Sequence, residues 1–77
     1  MTTLGVDCTF SDDGSVRVRR VKIGTKWFAV SQGRQWLDQN GRHVLIMLPG
    51  EKVREIVLRP DTMAWEVRTV PGGRHVV

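Results

Sequence analysis

The 77 residues allow one small domain; twelve Lys and Arg against eight Asp and Glu give a formal charge of +4 and a pI near 10.2. One cysteine, Cys8, excludes a disulfide framework, and no apolar run approaches the roughly 20 residues of a membrane-spanning helix. Met1-Thr2-Thr3-Leu4-Gly5 lacks the basic start and apolar segment of a signal peptide, so the expected setting is cytoplasmic.

Leu4, Val6, Cys8 and Phe10 alternate with Gly5, Asp7 and Thr9, the period of a half-buried strand. On this pattern Cys8 is a small buried apolar residue rather than a reactive thiol. Ser11-Asp12-Asp13-Gly14 is a turn; the ligand spacing and terminal Glu of a calcium loop are missing, and no metal site is expected.

A second strand runs from Ser15 to Ile23, and its parity breaks: Val16 and Val18 are even, Val21 and Ile23 odd. One extra residue near Arg19-Arg20, a β-bulge, keeps all four on one face. The same bulge gathers Arg17, Arg19, Arg20 and Lys22 on the other face, the densest basic stripe in a chain whose bases include nine arginines. A solvated outer face protected by charge is one reading of the stripe. A phosphate-contacting surface is the other, and the charge balance permits nucleic acid or another polyanion as partner.

After Gly24-Thr25-Lys26, Trp27 to Val30 forms a third short strand, Ser31 to Arg34 a connection, and Gln35 to Gln39 a fourth strand. Asn40-Gly41 signals a two-residue hairpin loop. That loop sets Gln39 against Arg42, Asp38 against His43, Leu37 against Val44 and Trp36 against Leu45. Arg42 to Leu48 is the longest apolar run and reads as the central strand. Pro49 to Lys52 closes the next hairpin, and Val53 to Leu58 returns with a second expected bulge near Arg54-Glu55. Arg59-Pro60-Asp61-Thr62 turns the chain into a last strand with Met63, Trp65 and Val67 on one face.

The expected fold is therefore all-β: a small barrel or strongly bent antiparallel meander of about six to seven short bulged strands. Residues 1–70 make one domain, and 71–77 a flexible C-terminal tail. Trp65 belongs to the core; Trp27 and Trp36 read as core or interface residues in preference to base-stacking platforms.

No G-x-S-x-G, HExxH, P-loop or CxxC pattern is present, and no cofactor or small-molecule site is evident. Asp38 opposite His43 reads as an exposed ion pair with no nucleophile beside it. The expectation is a non-enzymatic binding module. The central strand is apolar on both faces, so Trp36, Leu45, Met47 and Val57 form a patch that needs a cover. The first half of the chain, with Trp27 and Phe28 as lid, is one cover. A second copy across a two-fold axis is the other and the favoured one, because the charged second strand is a poor lid.

Asp13-Gly14 before Val18-Arg19-Arg20-Val21, then Gly24, Trp27, Val30, Gly41-Arg42-His43-Val44-Leu45, Pro49-Gly50, Val53-Arg54-Glu55-Ile56, Asp61 and Trp65-Glu66-Val67 form an ordered set spanning most of the chain. This order resembles the small all-β modules encoded beside or fused to bacterial error-prone DNA polymerases. The middle segment departs from the aromatic pattern of those modules. The resemblance implies an all-β fold and a nucleic-acid setting, and it assigns no functional residue.

Overall fold

The computed structural model describes residues 2–68, and among them every element is a strand. In chain order they are β1 (Thr2–Phe10), β2 (Val16–Ile23), β3 (Lys26–Ala29), β4 (Ser31–Asp38), β5 (Gly41–Leu48), β6 (Lys52–Leu58) and β7 (Trp65–Arg68). All neighbours are antiparallel, in one seven-stranded sheet of order β3-β2-β1-β7-β6-β5-β4. The sheet curls strongly into a half-barrel, so the all-β expectation holds. Among the described residues no helix is long and apolar enough to cross a membrane. The tail expected at 71–77 lies outside the described residues, as does His75.

Alternation along each strand builds the core. Val16, Val18 and Val21 of β2, Val44 and Ile46 of β5, Ile56 of β6 and Trp65 of β7 are buried on the concave side. Leu4, Val6 and Cys8 of β1, with Val30, Leu48, Leu58 and Val67, pack around them. Each fully buried Val or Ile contributes about 1.5–3 kcal/mol relative to exposure, so this core is a principal source of stabilisation.

The parity break in β2 has the expected cause. Asp7 pairs with Arg20 and Cys8 with Val18, leaving Arg19 as the extra residue of a bulge. The second expected bulge is absent: β5 and β6 pair without a shift from Arg42–Leu58 to Leu48–Lys52. Val53 simply faces outward, while Lys52 and Arg54 take concave positions opposite Leu48 and Ile46.

A bulge occurs instead in β4, where the register slips between Gln32 and Gln35. Ser31 to Arg34 is therefore strand rather than connection. The β4–β5 hairpin closes one residue earlier than expected. Asp38 pairs with Gly41, Leu37 with Arg42 and Trp36 with His43, so the loop is Gln39-Asn40. Gly41 is fixed by crowding as well as by its φ of 130°: a Cβ there would lie 2.0 Å from Leu58 O. The last strand begins at Trp65; Met63, with φ 58°, stays in the turn that Arg59 N and Ala64 O close at 3.0 Å.

The two edge strands, β3 and β4, are consecutive and joined only by Val30, whose N–H still donates to Arg19 O at 3.0 Å. Beyond that corner β4 leaves β2 to pair with β5. The β2 edge at Val16–Val18 then has no strand beside it, and two glutamines of β4 take the strand's place. Gln35 receives Val16 N–H at 2.9 Å and donates to Val16 O at 2.8 Å. Gln32 receives Val18 N–H at 2.6 Å and donates to Val16 O at 2.9 Å. Each side-chain amide presents the donor and acceptor of a peptide group, and Val16 N–H, Val16 O and Val18 N–H are satisfied.

Candidate nucleic-acid interface

The β2 bulge turns two successive arginines outward, and strand alternation turns out Arg17 and Lys22. All four side chains are exposed. The register sets Arg17 beside Thr9, Arg20 beside Asp7 and Ala29, and Lys22 between Gly5 and Trp27. The missing side chain at Gly5 opens the surface. A Cβ there would lie 3.2 Å from Lys22 Cβ and 3.5 Å from Trp27 Cη2, so the lysine stem and the indole edge both lean over it.

One of the four cations is neutralised. Arg20 Nε donates to Asp7 Oδ2 at 3.0 Å, and its guanidinium carbon lies 5.1 Å from the centre of the Trp27 ring. Arg19 donates to the neutral Thr9 hydroxyl. Arg17, Arg19 and Lys22 make no salt bridge among the described residues. Trp27 is 44% exposed and thus no core residue; it borders the cations on the convex face.

Behind this stripe Cys8 faces the core. Burial raises its thiol above the ordinary value of 9.0; Asp7 adds to the rise and Arg19 opposes it. Its half-buried side chain packs against the core.

Beside the stripe runs the seam between β2 and β4, a cleft of about 630 Å³ bordered by Ser15, Arg17, Arg19, Ser31 and Gly33. Its glutamines are held by the β2 backbone, so the cleft offers hydroxyls and two cationic residues at its rim.

The second group, Trp36, Leu45, Met47 and Val57, shares the convex face of β4–β6 as its parity requires, although the neighbours are shifted. Trp36 and Val57 both flank His43, while Leu45 sits opposite Glu55. Val57 is buried, Trp36 and Leu45 are half-buried, and Met47 is exposed beside an exposed Val53. Trp36 stacks on His43 with ring centres 5.0 Å apart and planes 3° from parallel, and Arg34 lies 5.2 Å from the indole centre. With two partners already on it, this indole has little face left for a nucleic-acid base. The first half of the chain packs on the concave side, and Trp27 sits over Gly5 rather than over Leu45.

His43 corrects a further expectation. The ring is 1% exposed, so its ion pair is not a surface one. Nε2 lies 2.8 Å from Asp38 Oδ1 and Nδ1 lies 2.7 Å from Glu55 Oε2. Against two ionised carboxylates, both contacts are hydrogen bonds when both ring nitrogens carry protons. Asp38 is held below its ordinary 3.8, first by the His43 hydrogen bond and then by the Asn40 N–H. Glu55 was hidden in the sequence by the bulge expected at its own position. Among the described residues no group of His, Cys, Asp and Glu is arranged to hold a metal ion.

A scan against protein-family models and searches of curated proteins and of solved structures return no match.

Proposed function

We propose that this domain is a non-enzymatic basic binding module that contacts nucleic acid through the convex face of β2. The observation that carries the reading is the group Arg17, Arg19 and Lys22: three exposed cations on one strand face without a carboxylate partner among the described residues. A surface built only for solubility intersperses both signs, whereas phosphate binding gains from clustering one sign and releasing counterions. Trp27 beside the cluster supplies an apolar ring surface next to the charges. The resemblance to polymerase-associated modules points in the same direction.

The test is a titration of single- and double-stranded DNA and RNA at several salt concentrations, with wild type and an Arg17→Gln/Arg19→Gln/Lys22→Gln variant. Binding is expected at low salt. For a single strand, loss of three contacts lowers the slope of log K against log salt by about 2. Flat titrations at low salt for every nucleic acid overturn the proposal.

One observation favours a second reading, a homodimeric protein-interaction domain. Met47 and Val53, 42% and 54% exposed, form a cross-strand pair on the convex face next to Leu45. That is an apolar spot on the face whose cover the sequence left open.

A further inference from the structure

The concave side has its own opening. At the end of the half-barrel formed by the start of β1, the end of β2, the end of β5 and the start of β6 lies a pocket of about 370 Å³. Leu4, Val21, Ile23, Ile46, Leu48, Ile56 and Val67 line it, and Lys52 and Arg54 complete the wall. The volume lies within the range of small-ligand sites, roughly 300–1,000 Å³.

Two features give the pocket a chemical preference. Its apolar wall is entirely aliphatic, without an aromatic ring to stack on a planar ligand, which suits an alkyl chain. Its polar groups are both cations. The ladder sets Lys52 opposite Leu48 and Arg54 opposite Ile46, on inward positions that a barrel ordinarily fills with apolar side chains. Neither makes a salt bridge among the described residues; Arg54 donates only to the neighbouring Val53 carbonyl, at 2.9 Å. Their methylene stems extend the apolar wall while their exposed heads leave positive charge at the rim.

We infer that this mouth binds a monomeric aliphatic amphiphile with an anionic head group, its chain against Val21, Ile46 and Ile56 and its head between Lys52 and Arg54. The site faces away from the β2 stripe and does not depend on nucleic-acid binding.

The experiment is a methyl-detected NMR titration of the full chain with decanoate below its micelle concentration. Decanol and anionic phospholipid vesicles are tested in parallel, and a Lys52→Gln/Arg54→Gln variant is compared with wild type. Saturable shifts confined to the methyls that line the mouth, those of Leu4, Val21, Ile23, Ile46, Leu48, Ile56 and Val67, are expected. Decanol, and decanoate with the double variant, should bind about tenfold more weakly, the effect of losing two modest surface charge contacts. Both substituted residues are exposed, and a retained spectrum outside the mouth confirms that the variant is folded. Absence of saturable shifts, equal binding of decanol, or binding to vesicles but not to decanoate overturns the inference. So do contacts from residues 69–77 to Ile46 and Ile56 in the free protein, which would make the chain its own occupant. Concentration-dependent shifts of these methyls without ligand would assign the mouth to a second copy and overturn it equally.

Discussion

The side-chain amide of Gln35 lies against the backbone of Val16 as a strand would, receiving its N–H at 2.9 Å and donating to its carbonyl at 2.8 Å. Val16 is buried, so little water reaches its backbone in place of the glutamine. Gln35→Leu keeps the bulk and removes both bonds. It should lower unfolding stability by about 1–3 kcal/mol, the cost of a buried donor left without a partner. Gln32 still serves Val16 O, so the loss falls on the N–H. Urea denaturation checks this, and an unchanged midpoint would show that the seam carries no strength.

Gly41 tolerates no side chain. A Cβ would meet Leu58 O at 2.0 Å, Leu58 C at 3.0 Å and Pro60 Cδ at 3.1 Å, and all three belong to β6 or the turn after it. Relief requires β5 and β6 to separate at their tightest point. Gly41→Ala should therefore cost about 3 kcal/mol or more, combining overpacking with a φ of 130° that L-residues avoid. A thermal melt superimposable on wild type would refute the close approach.

The Asp38–His43 contact makes a signed pH prediction. The carboxyl of Asp38 is depressed below 3.8 in the folded chain, so its contribution to stability is present above that value. It is lost as pH falls through the lower, folded-state value. The difference in urea midpoint between wild type and Asp38→Asn should be largest above about pH 5 and shrink as the solution approaches pH 2. Asp13, lowered by the Ser15 N–H and hydroxyl, should behave alike, with Asp13→Asn as its probe. A difference that grows on acidification would contradict both assignments.

If copies of the chain meet over Met47 and Val53, sedimentation should detect a dimer at high micromolar concentration. Met47→Glu, at an exposed position, should convert it to a folded monomer. A monomeric wild type removes the second reading and leaves the Met47–Val53 pair as isolated surface apolar area.

Parity carried most of the fold from sequence to structure. The alternation of Leu4, Val6 and Cys8, the shifted parity of Val16, Val18, Val21 and Ile23, and the two faces of Arg42 to Leu48 identify strands, one bulge and the convex residues of the candidate interface. The misreadings arise where inward positions are polar. Gln32 and Gln35 face inward because they replace a strand, so Ser31 to Arg34 looked like a loop. Lys52 and Arg54 face inward because the barrel is open there, so a regular β6 looked bulged. The hairpin register depended on contact between Gly41 and Leu58, seventeen residues on, which the Asn40-Gly41 dipeptide does not encode. Glu55 as the second partner of His43 depends instead on the unbulged β5–β6 register.

Val30 and the glutamine seam have a kinetic consequence. The ladders fall into two local meanders, β1-β2-β3 and β4-β5-β6-β7, each formed from hairpins of neighbouring strands. Besides the shared core, the hydrogen-bonded links between them among the described residues are the three residue pairs from Thr2–Val67 to Leu4–Trp65, the Val30 N–H to Arg19 O bond and the side-chain bonds of Gln32 and Gln35. The β1–β7 pairs and the glutamine bonds bridge segments far apart in the chain or rest on side chains, so their loop-closure entropy is paid after the hairpins form. Opening in the reverse order would part the half-barrel along β1–β7 and the seam and divide the shared core while each meander keeps its own ladder, in the manner of a clasp with two catches.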